Sequence, residues 1–319
     1  QILPTLPREK MIVQTKVPPM DTGTDFLDVF EHSMSLLKLD HVDLLAFHGV
    51  NSEDEYQKTL KCLDAALELK KQGRARHIGF STHGACDIIV KTIEIGALEY
   101  VNLHWYYIFQ DNWPAVEAAT KRDMGVFIIS PNDKGGLLYK PSEKLVELCK
   151  PLHPMVFNGL FCLARPEVHT LSCGAARPED FDIHLETARL LDQAKELVEP
   201  IVARLEAAAE EALGKDWAHT WQQGLPDWDH APGQINVPVI LRMYNLVRAF
   251  DMVEYAKMRY NMFGSGGTWF PGSRVKDVET LDFSTYLKHS PHKARIPGVV
   301  AEIDQMLKGE QRKRLQQEA

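Results

Sequence analysis

The sequence predicts an α/β fold in which parallel strands are joined by helical crossovers and a purely helical final third follows. Three observations predict it. The stretch LDHVDLLAFHGVN over residues 39–51 holds a strand over 42–47 in which five of six residues are apolar. Such a continuous run suits a parallel strand covered on both faces rather than an alternating edge strand. Strand-like and helix-like segments then alternate along the chain, and alternation of this kind implies parallel strands with helical crossovers. From about Asp192 onward no strand pattern appears.

Each element follows from local signals. Residues 11–17 (MIVQTKV) form a strand with Lys16 at its end, stopped by Pro18 and Pro19. Thr24 or Asp25 caps a helix running to Leu39, with Phe26, Val29, Phe30, Ser33, Leu36 and Leu37 at helical spacing. The strand over 42–47 hands over to a loop at His48. Ser52 caps a helix over 53–71, which Gly73 ends. A strand over 76–80 runs into Ser81-Thr82-His83-Gly84. Next come a helix over 85–95, a strand over 100–103 and a helix over 112–122. A strand over 125–129 ends in Ser130-Pro131-Asn132 and the loop 133–136. Helical segments over 142–150 and 155–164, a strand over 168–172 and a helix over 178–190 complete six strand units. The last third reads as helices over 196–213, 238–258 and 298–307, with a Trp-, Asp-, His- and Pro-rich stretch over 214–233.

Composition bounds the partners. A formal net charge of -8 argues against binding nucleic acid through its phosphates. The basic run over 308–314 reads as a solvated helix end. No apolar run reaches the ~18–20 residues that span a bilayer, and no basic-then-apolar leader opens the chain, so a soluble, cytoplasmic protein without a membrane partner is expected. Cys62, Cys86, Cys149, Cys162 and Cys173 are scattered, odd in number and without a CxxC pair, which reads as reduced thiols. The length fits one large domain with an appendage. The chain begins at Gln1 without an initiator methionine, on what reads as the tail of a helix, so upstream sequence is expected.

The six strands end in Lys16, His48, Ser81, Asn102, Ser130 and Gly174. If they lie parallel in one sheet, these groups share its carboxyl pole, where parallel α/β proteins collect their chemistry. Each group alone also reads as a solvated loop residue, and His48 as a structural histidine. Lys16 and His48, however, stand at equivalent ends of successive strands, and that coincidence points to function. A lysine near a histidine can polarise a carbonyl and lower the pKa of a neighbouring acid. Neither donates a hydride, so redox chemistry at this rim needs a cofactor. In the loop 130–136, Gly135, Gly136 and Lys134 can offer backbone N–H groups and a charge to a phosphate, as can a plain surface turn. Gly174 to Pro178 opens a helix with Arg177 beside its N-terminus, which reads either as an anion site or as an exposed first-turn arginine.

The segments REKMIVQTKV, LDHVDLLAFHGVN, GRARHIGFSTHG, YVNLHWYY, GVFIISPNDKGGLL and LSCGAARPED together resemble the aldo-keto reductases, in the family's order and spacing. The resemblance implies a (β/α)8 TIM barrel that binds NADP(H) and reduces carbonyl groups by hydride transfer, with small aldehydes or ketones as substrates. By it, Lys16 and His48 are two members of the catalytic tetrad: His48 orients the carbonyl and Lys16 depresses the pKa of a tyrosine acid. The tyrosine and a lysine-pairing aspartate belong to the second strand, upstream of Gln1. The barrel over residues 1–191 is thus expected to lack its first two strand units, and the truncated chain is expected to be inactive by itself. For the cofactor, Ser81 matches the serine for the nicotinamide carboxamide, followed by Thr82 where asparagine is usual, and Asn102 stands where an amide binds the same group. Ser130, Asn132 and Gly135 occupy the loop over the pyrophosphate, with Asn132 replacing a common leucine. Gly174 and Arg177 fall in the segment gripping the 2′-phosphate, which favours NADP(H) over NAD(H).

Residues 192–319 resemble the ferredoxin-like extension of some aldo-keto reductases, whose C-x2-C-x2-C-x3-C-P runs hold [4Fe-4S] clusters. The ligand positions would be Trp221, Gly224, Asp227 and Ala231, then Thr280, Phe283, Tyr286 and Ser290. None is a cysteine, so no iron-sulfur cluster is expected. Two other readings accompany the reductase. One is a non-catalytic barrel that binds a nucleotide or a partner protein. The other is a zinc site built from His48, His83 and His104, which has no carboxylate or cysteine placed with it. The oligomeric state and the physiological substrate stay open.

Overall fold

Six strands form one parallel sheet in chain order: β1 (Gln14–Val17), β2 (Val42–His48), β3 (Ala75–Ser81), β4 (Tyr100–Leu103), β5 (Gly125–Ile129) and β6 (Thr170–Ser172). The computed structural model of the chain describes residues 2–175, 177–276 and 278–312, apart from the side chain of Glu279. Between the strands run α1 (Gly23–Leu37), α2 (Glu53–Lys71), α3 (Cys86–Ile93), α4 (Trp113–Thr120), α5 (Glu143–Cys149) and α6 (Pro154–Leu163). After β6 come α7 (Asp180–Arg189), α8 (Ala194–Leu213), α9 (Lys215–Thr220), α10 (Val237–Phe250), α11 (Val253–Tyr260) and α12 (Ile296–Leu307). The expected architecture holds: strand–helix units of a TIM barrel, six of the eight, with helices beyond. The chain divides into two compact units, residues 1–131 with 162–173, and residues 132–161 with 174–319.

In the first unit every strand pairs in parallel with its sequence neighbours. The β2 run explains itself, since Val42, Leu45, Ala46 and Phe47 are all fully buried. Pairing fixes which side chains share a face. Lys16 lies opposite Ala46, Ala46 opposite Gly79 and Gly79 opposite Tyr100; two residues on, His48 lies opposite Ser81 and Ser81 opposite Asn102. Because strand side chains alternate with period two, these residues all project from one face. That face is concave. Gln14 on β1 and Asn102 on β4 hydrogen-bond through their carboxamides at 3.0 Å, although three strand spacings of a flat sheet would hold them about 14 Å apart. Only a sheet curled toward this face brings them together. Toward its amino end the concavity encloses about 500 Å³, lined among others by Gln14, Leu44, His77, Phe127 and Thr170.

Two features pin this unit. At the amino end Asp43 is buried and accepts from the Val13 N–H at 2.7 Å, while Arg8 and Arg76 reach its two oxygens at 2.8 and 2.9 Å. Within the concavity Tyr100 lies over Gly79, where an added Cβ would come within 2.5 and 2.6 Å of two of its ring carbons. The helix α1 is capped by Thr22, whose hydroxyl accepts from the Asp25 N–H at 3.1 Å, and not by Thr24 or Asp25. Its hydroxyl also donates to the Asp25 carboxylate at 2.6 Å, so the N3 acidic residue completes the cap and Thr24 lies inside the helix.

The second unit buries its own core, centred on Trp217, Ile240, Leu241, Tyr260, Val300 and Leu307. The predicted helix over 238–258 is two helices, broken where Asp251 takes φ 54. Positions aligned with cluster ligands are filled differently: Ala231, Phe283 and Tyr286 belong to the buried core and Trp221 packs against it. Gly224 at φ +69 lies so near the chain at 289–290 that an added Cβ would stand 2.5 Å from the His289 carbonyl carbon. Residues 308–312 of the basic run are not helical. The helix α12 stops at Leu307, because Asn261 satisfies its terminus: its Nδ2 donates to the Leu307 carbonyl, and its Oδ1 accepts from the Gly309 N–H, both at 2.8 Å. Lys313 and Arg314 lie outside the described residues. Among the described residues no helix is long and apolar enough to cross a membrane.

Candidate active site

The carboxyl ends of β1 to β4 deliver Lys16, His48, Ser81 and Asn102 to the same concave face, in the order the sequence suggests. Lys16 is half-buried, and no carboxylate pairs with it among the described residues. Burial holds its ammonium pKa below the usual lysine value. Burial also lowers the His48 pKa, and the Lys16 charge lowers it further. His48 is therefore held toward the neutral imidazole, which can donate a hydrogen bond from one nitrogen without carrying charge. An uncompensated cation beside a neutral imidazole can hold and polarise a carbonyl oxygen.

The loops behind these strands are fixed by backbone bonds. The N–H groups of Gly49 and Val50 both donate to the Ser81 carbonyl at 2.9 Å, and the Gly49 N–H also reaches the Ser81 hydroxyl at 3.3 Å. Gly49 takes φ 80, a conformation that favours glycine at this turn. The Thr82 hydroxyl donates to the Val50 carbonyl at 2.7 Å and accepts from the Gly84 N–H at 2.9 Å. Ser81, Thr82 and Asn102 are all buried. Of the residues expected to hold a nicotinamide amide, Ser81 keeps a hydroxyl proton that no bond described here uses. Thr82 spends its hydroxyl on the backbone, and Asn102 pairs with Gln14. Ser130 stands at the end of β5 with φ 52, its N–H donating to the Ser172 carbonyl at 3.2 Å.

The other expected cofactor residues, Asn132, Gly135, Gly174 and Arg177, belong to the second unit. Asn132 is buried, and its Nδ2 finds no acceptor among the described residues. A buried donor without a partner carries a desolvation cost that an incoming oxygen would relieve. This orphaned donor, beside the buried Gly135 and Gly136, fits a phosphate oxygen. The same loop is braced by Tyr255, whose hydroxyl donates to the Lys134 carbonyl at 2.8 Å. The Gly174 carbonyl accepts from the Tyr139 hydroxyl at 2.6 Å and pairs with His184 Nε2 at 3.0 Å. Arg177 is exposed and precedes α7, which begins at Asp180; its backbone N–H and Nε both reach the Asp180 carboxylate, at 3.2 and 3.4 Å.

Two side-chain pairings escaped the sequence reading. Gln14 was hidden because its partner lies three strands away. Tyr106 joins His83 and His104 in one hydrogen-bonded chain: His83 Nδ1 meets His104 Nε2 at 2.6 Å, and His104 Nδ1 meets the Tyr106 hydroxyl. The two histidines were legible as a pair at the ends of β3 and β4. The structure joins them to each other and to Tyr106, and among the described residues no group of three or more His, Cys, Asp or Glu is placed to hold a metal ion.

The sequence pattern of the Aldo/keto reductase family matches residues 4–145. Among solved structures the chain is similar to the holo form of aldo-keto reductase AKR11C1 from Bacillus halodurans, at 17% identity and TM-score 0.50, over 60% of this chain and 74% of that one. It is also similar to the thermostable aldo-keto reductase Tm1743 in complex with the inhibitor epalrestat, at 20% identity and TM-score 0.51, over 62% and 74% of the two chains. No curated protein sequence matches it. The structural likenesses show the fold, and the segment that matches the Aldo/keto reductase family carries β1 to β5 with Lys16 and His48.

Proposed function

We propose that the protein is a cytoplasmic NADP(H)-dependent oxidoreductase that reduces carbonyl groups of small aldehydes or ketones to alcohols, with residues 192–319 as its helical extension. One observation carries this reading: a half-buried lysine without a counter-ion stands beside a neutral-leaning histidine at the carboxyl ends of adjacent parallel strands. Bound NADP(H) supplies the hydride. His48 donates a hydrogen bond to the carbonyl oxygen and orients it, while Lys16 stabilises negative charge developing on that oxygen and on the acid that protonates it. The Ser81 hydroxyl holds the nicotinamide amide with Thr82, Asn102 and Ser130 around it. Asn132 and Gly135 hold the pyrophosphate, and Gly174 with Arg177 holds the 2′-phosphate, an arrangement that favours NADP(H). Binding of NADPH by the full-length protein, followed by turnover of small aldehydes, tests the reading. Lys16→Met should lower kcat by at least about 10²-fold, the low end of what a positioned proton-transfer or electrostatic group contributes, with the fold retained by circular dichroism. Unchanged turnover removes Lys16 from the mechanism.

A second reading, a non-catalytic barrel that binds a nucleotide or a partner protein, is favoured by the pairing of Gln14 with Asn102, which occupies an amide the cofactor would use. NADPH binding without turnover of any aldehyde in the full-length protein would select it.

A further inference from the structure

We infer that the helical extension carries a small-molecule site of its own, a recess that takes a dianionic phosphate ester through Arg274, Lys276 and Lys308. The inference stands apart from the carbonyl-reduction reading. The recess lies within the second unit, between the end of α12 and the segment 274–278, and has a volume of about 660 Å³. Among the described residues these three cations and one carboxylate, Asp304, line it. In a chain of net charge -8 the recess is therefore opposite in sign to the whole.

The guanidinium is set in place before any ligand arrives. Arg274 is half-buried, and its Nη1 donates to the Gly309 carbonyl at 2.9 Å and to Asn261 Oδ1 at 3.3 Å. The backbone around it is tied down: the Ser273 N–H donates to the Gln234 carbonyl at 2.9 Å, and the Val275 N–H to the hydroxyl of the fully buried Tyr260 at 3.2 Å. Among the described residues no carboxylate pairs with Arg274 or with the exposed Lys276, and Nε and Nη2 of Arg274 make no hydrogen bond. A fixed guanidinium with donors to spare can grip two oxygens of one phosphate, and lysines add point charges to the grip. The carboxylate is committed to the wall. Asp304 Oδ1 accepts from the Tyr260 hydroxyl, and its Oδ2 stands 3.9 Å from Lys308 Nζ, a loose pair that leaves the lysine able to turn to a ligand. Carbonyls at the end of α12 would repel an anion, but they are covered: that of Leu307 accepts from Asn261 Nδ2 at 2.8 Å, and that of Gly309 from Arg274.

Charge and size together name the ligand class. A phosphomonoester carries about -1.5 to -2 at neutral pH, which complements three cations set against one carboxylate. A phosphate group alone would leave most of the 660 Å³ unfilled, and that volume is of the size that holds small molecules. Val278 and Ala301 give the rest of the wall apolar surface for the organic part.

Calorimetric titration of the full-length protein with phenyl phosphate tests the site. Binding should saturate in the wild type, weaken about 5-fold in Lys276→Ala, and weaken at least about 10-fold in Arg274→Gln. Lys276 makes no bond that supports the fold, so Lys276→Ala should keep the wild-type melting temperature and still read the site if Arg274→Gln does not fold. Arg177→Ala, in the segment proposed to hold the cofactor, should leave the affinity unchanged. Inorganic phosphate should bind more weakly than the ester, and succinate, a dianion without phosphorus, more weakly still. Absence of saturation in the wild type, which is what neutralisation of the recess by neighbouring carboxylates would give, overturns the inference. So does unchanged affinity in Lys276→Ala, or a loss found in Arg177→Ala instead. Succinate or inorganic phosphate binding as tightly as phenyl phosphate overturns the assignment to a phosphate ester.

Discussion

Gly79 is the position where the barrel interior has least room, and Gly79→Ala measures how little. The new methyl would lie about 1 Å inside ordinary contact with two carbons of the Tyr100 ring and would also press on the Tyr100 backbone carbonyl. Relief by ring movement is closed off. Tyr100 is 2% exposed, its ring packs on Phe127 at 5.6 Å between centroids, and Gly79 is its direct partner across the β3–β4 ladder. Overpacking of a closed core costs about 1–3 kcal/mol, and the rigid carbonyl neighbour puts this site at the upper end, about 2–3 kcal/mol. The loss should appear as a lower urea midpoint at unchanged slope. Shortening the ring should return part of it, so Gly79→Ala with Tyr100→Ala should be less destabilised than the sum of the single variants by about 1 kcal/mol or more. A loss under about 0.5 kcal/mol, the range of ordinary surface substitutions, would refute the close packing of β3 on β4. Because Gly79 precedes Ser81 by two residues, the same displacement should weaken NADPH binding.

Asp43→Asn should destabilise the first unit by about 1–3 kcal/mol, the value of charge-assisted bonds discounted for the exposed Arg76. Burial raises the Asp43 pKa, but the Val13 N–H, Arg8 and Arg76 outweigh it and leave the carboxyl below its usual value. Its stabilisation is therefore complete above about pH 3.8 and is lost as pH falls through the lower folded value, so the gap between wild type and Asp43→Asn in urea titrations should close only below pH 3.8. His48 has the opposite chemistry. Its folded pKa lies below 6.5, so the unfolded chain binds the extra proton and wild-type stability falls as pH drops below 6.5; His48→Gln should be less acid-sensitive over that window, and equal acid sensitivity would contradict the lowered value. In the second unit Gly224→Cys, which restores one aligned cluster position, should cost more than about 2 kcal/mol and gain no iron by metal analysis. Strain at φ +69 and collision with the chain at 289–290 both oppose it.

Periodicity made the sheet legible. Strands over 100–103 and 125–129 match β4 and β5 in full, because short apolar runs between turn signals leave little freedom in their limits. The ends of β1 and β6 were harder, since the residue pattern runs on past the ladder: residues 11–13 and 168–169 look like strand and lie just outside it, although Val13 and His169 still hydrogen-bond to the neighbouring strands. Lys16 and His48 were legible as a pair because parallel strands align their carboxyl ends. The Gln14–Asn102 contact was not, because it depends on the sheet's curl and no local pattern encodes curvature. Tyr106 was equally silent: its hydroxyl meets a ring nitrogen of His104 and the Ile129 carbonyl on β5, contacts that no local pattern encodes. The break at Asp251 was missed because the helical spacing of apolar residues runs on through it, while a single left-handed residue redirects the chain.

The Asp43 cluster lies at the amino ends of the strands, away from the rim of Lys16 and His48. One carboxylate there ties the lead-in to β1, the body of β2 and the start of β3. The first unit is thus clamped where it does not react, and its rim is relieved of that duty. Loops at the carboxyl ends can change in length and chemistry without loosening the clamp, so this scaffold is suited to loop grafting: new substrate specificities can be written on one face while the other keeps the sheet in register.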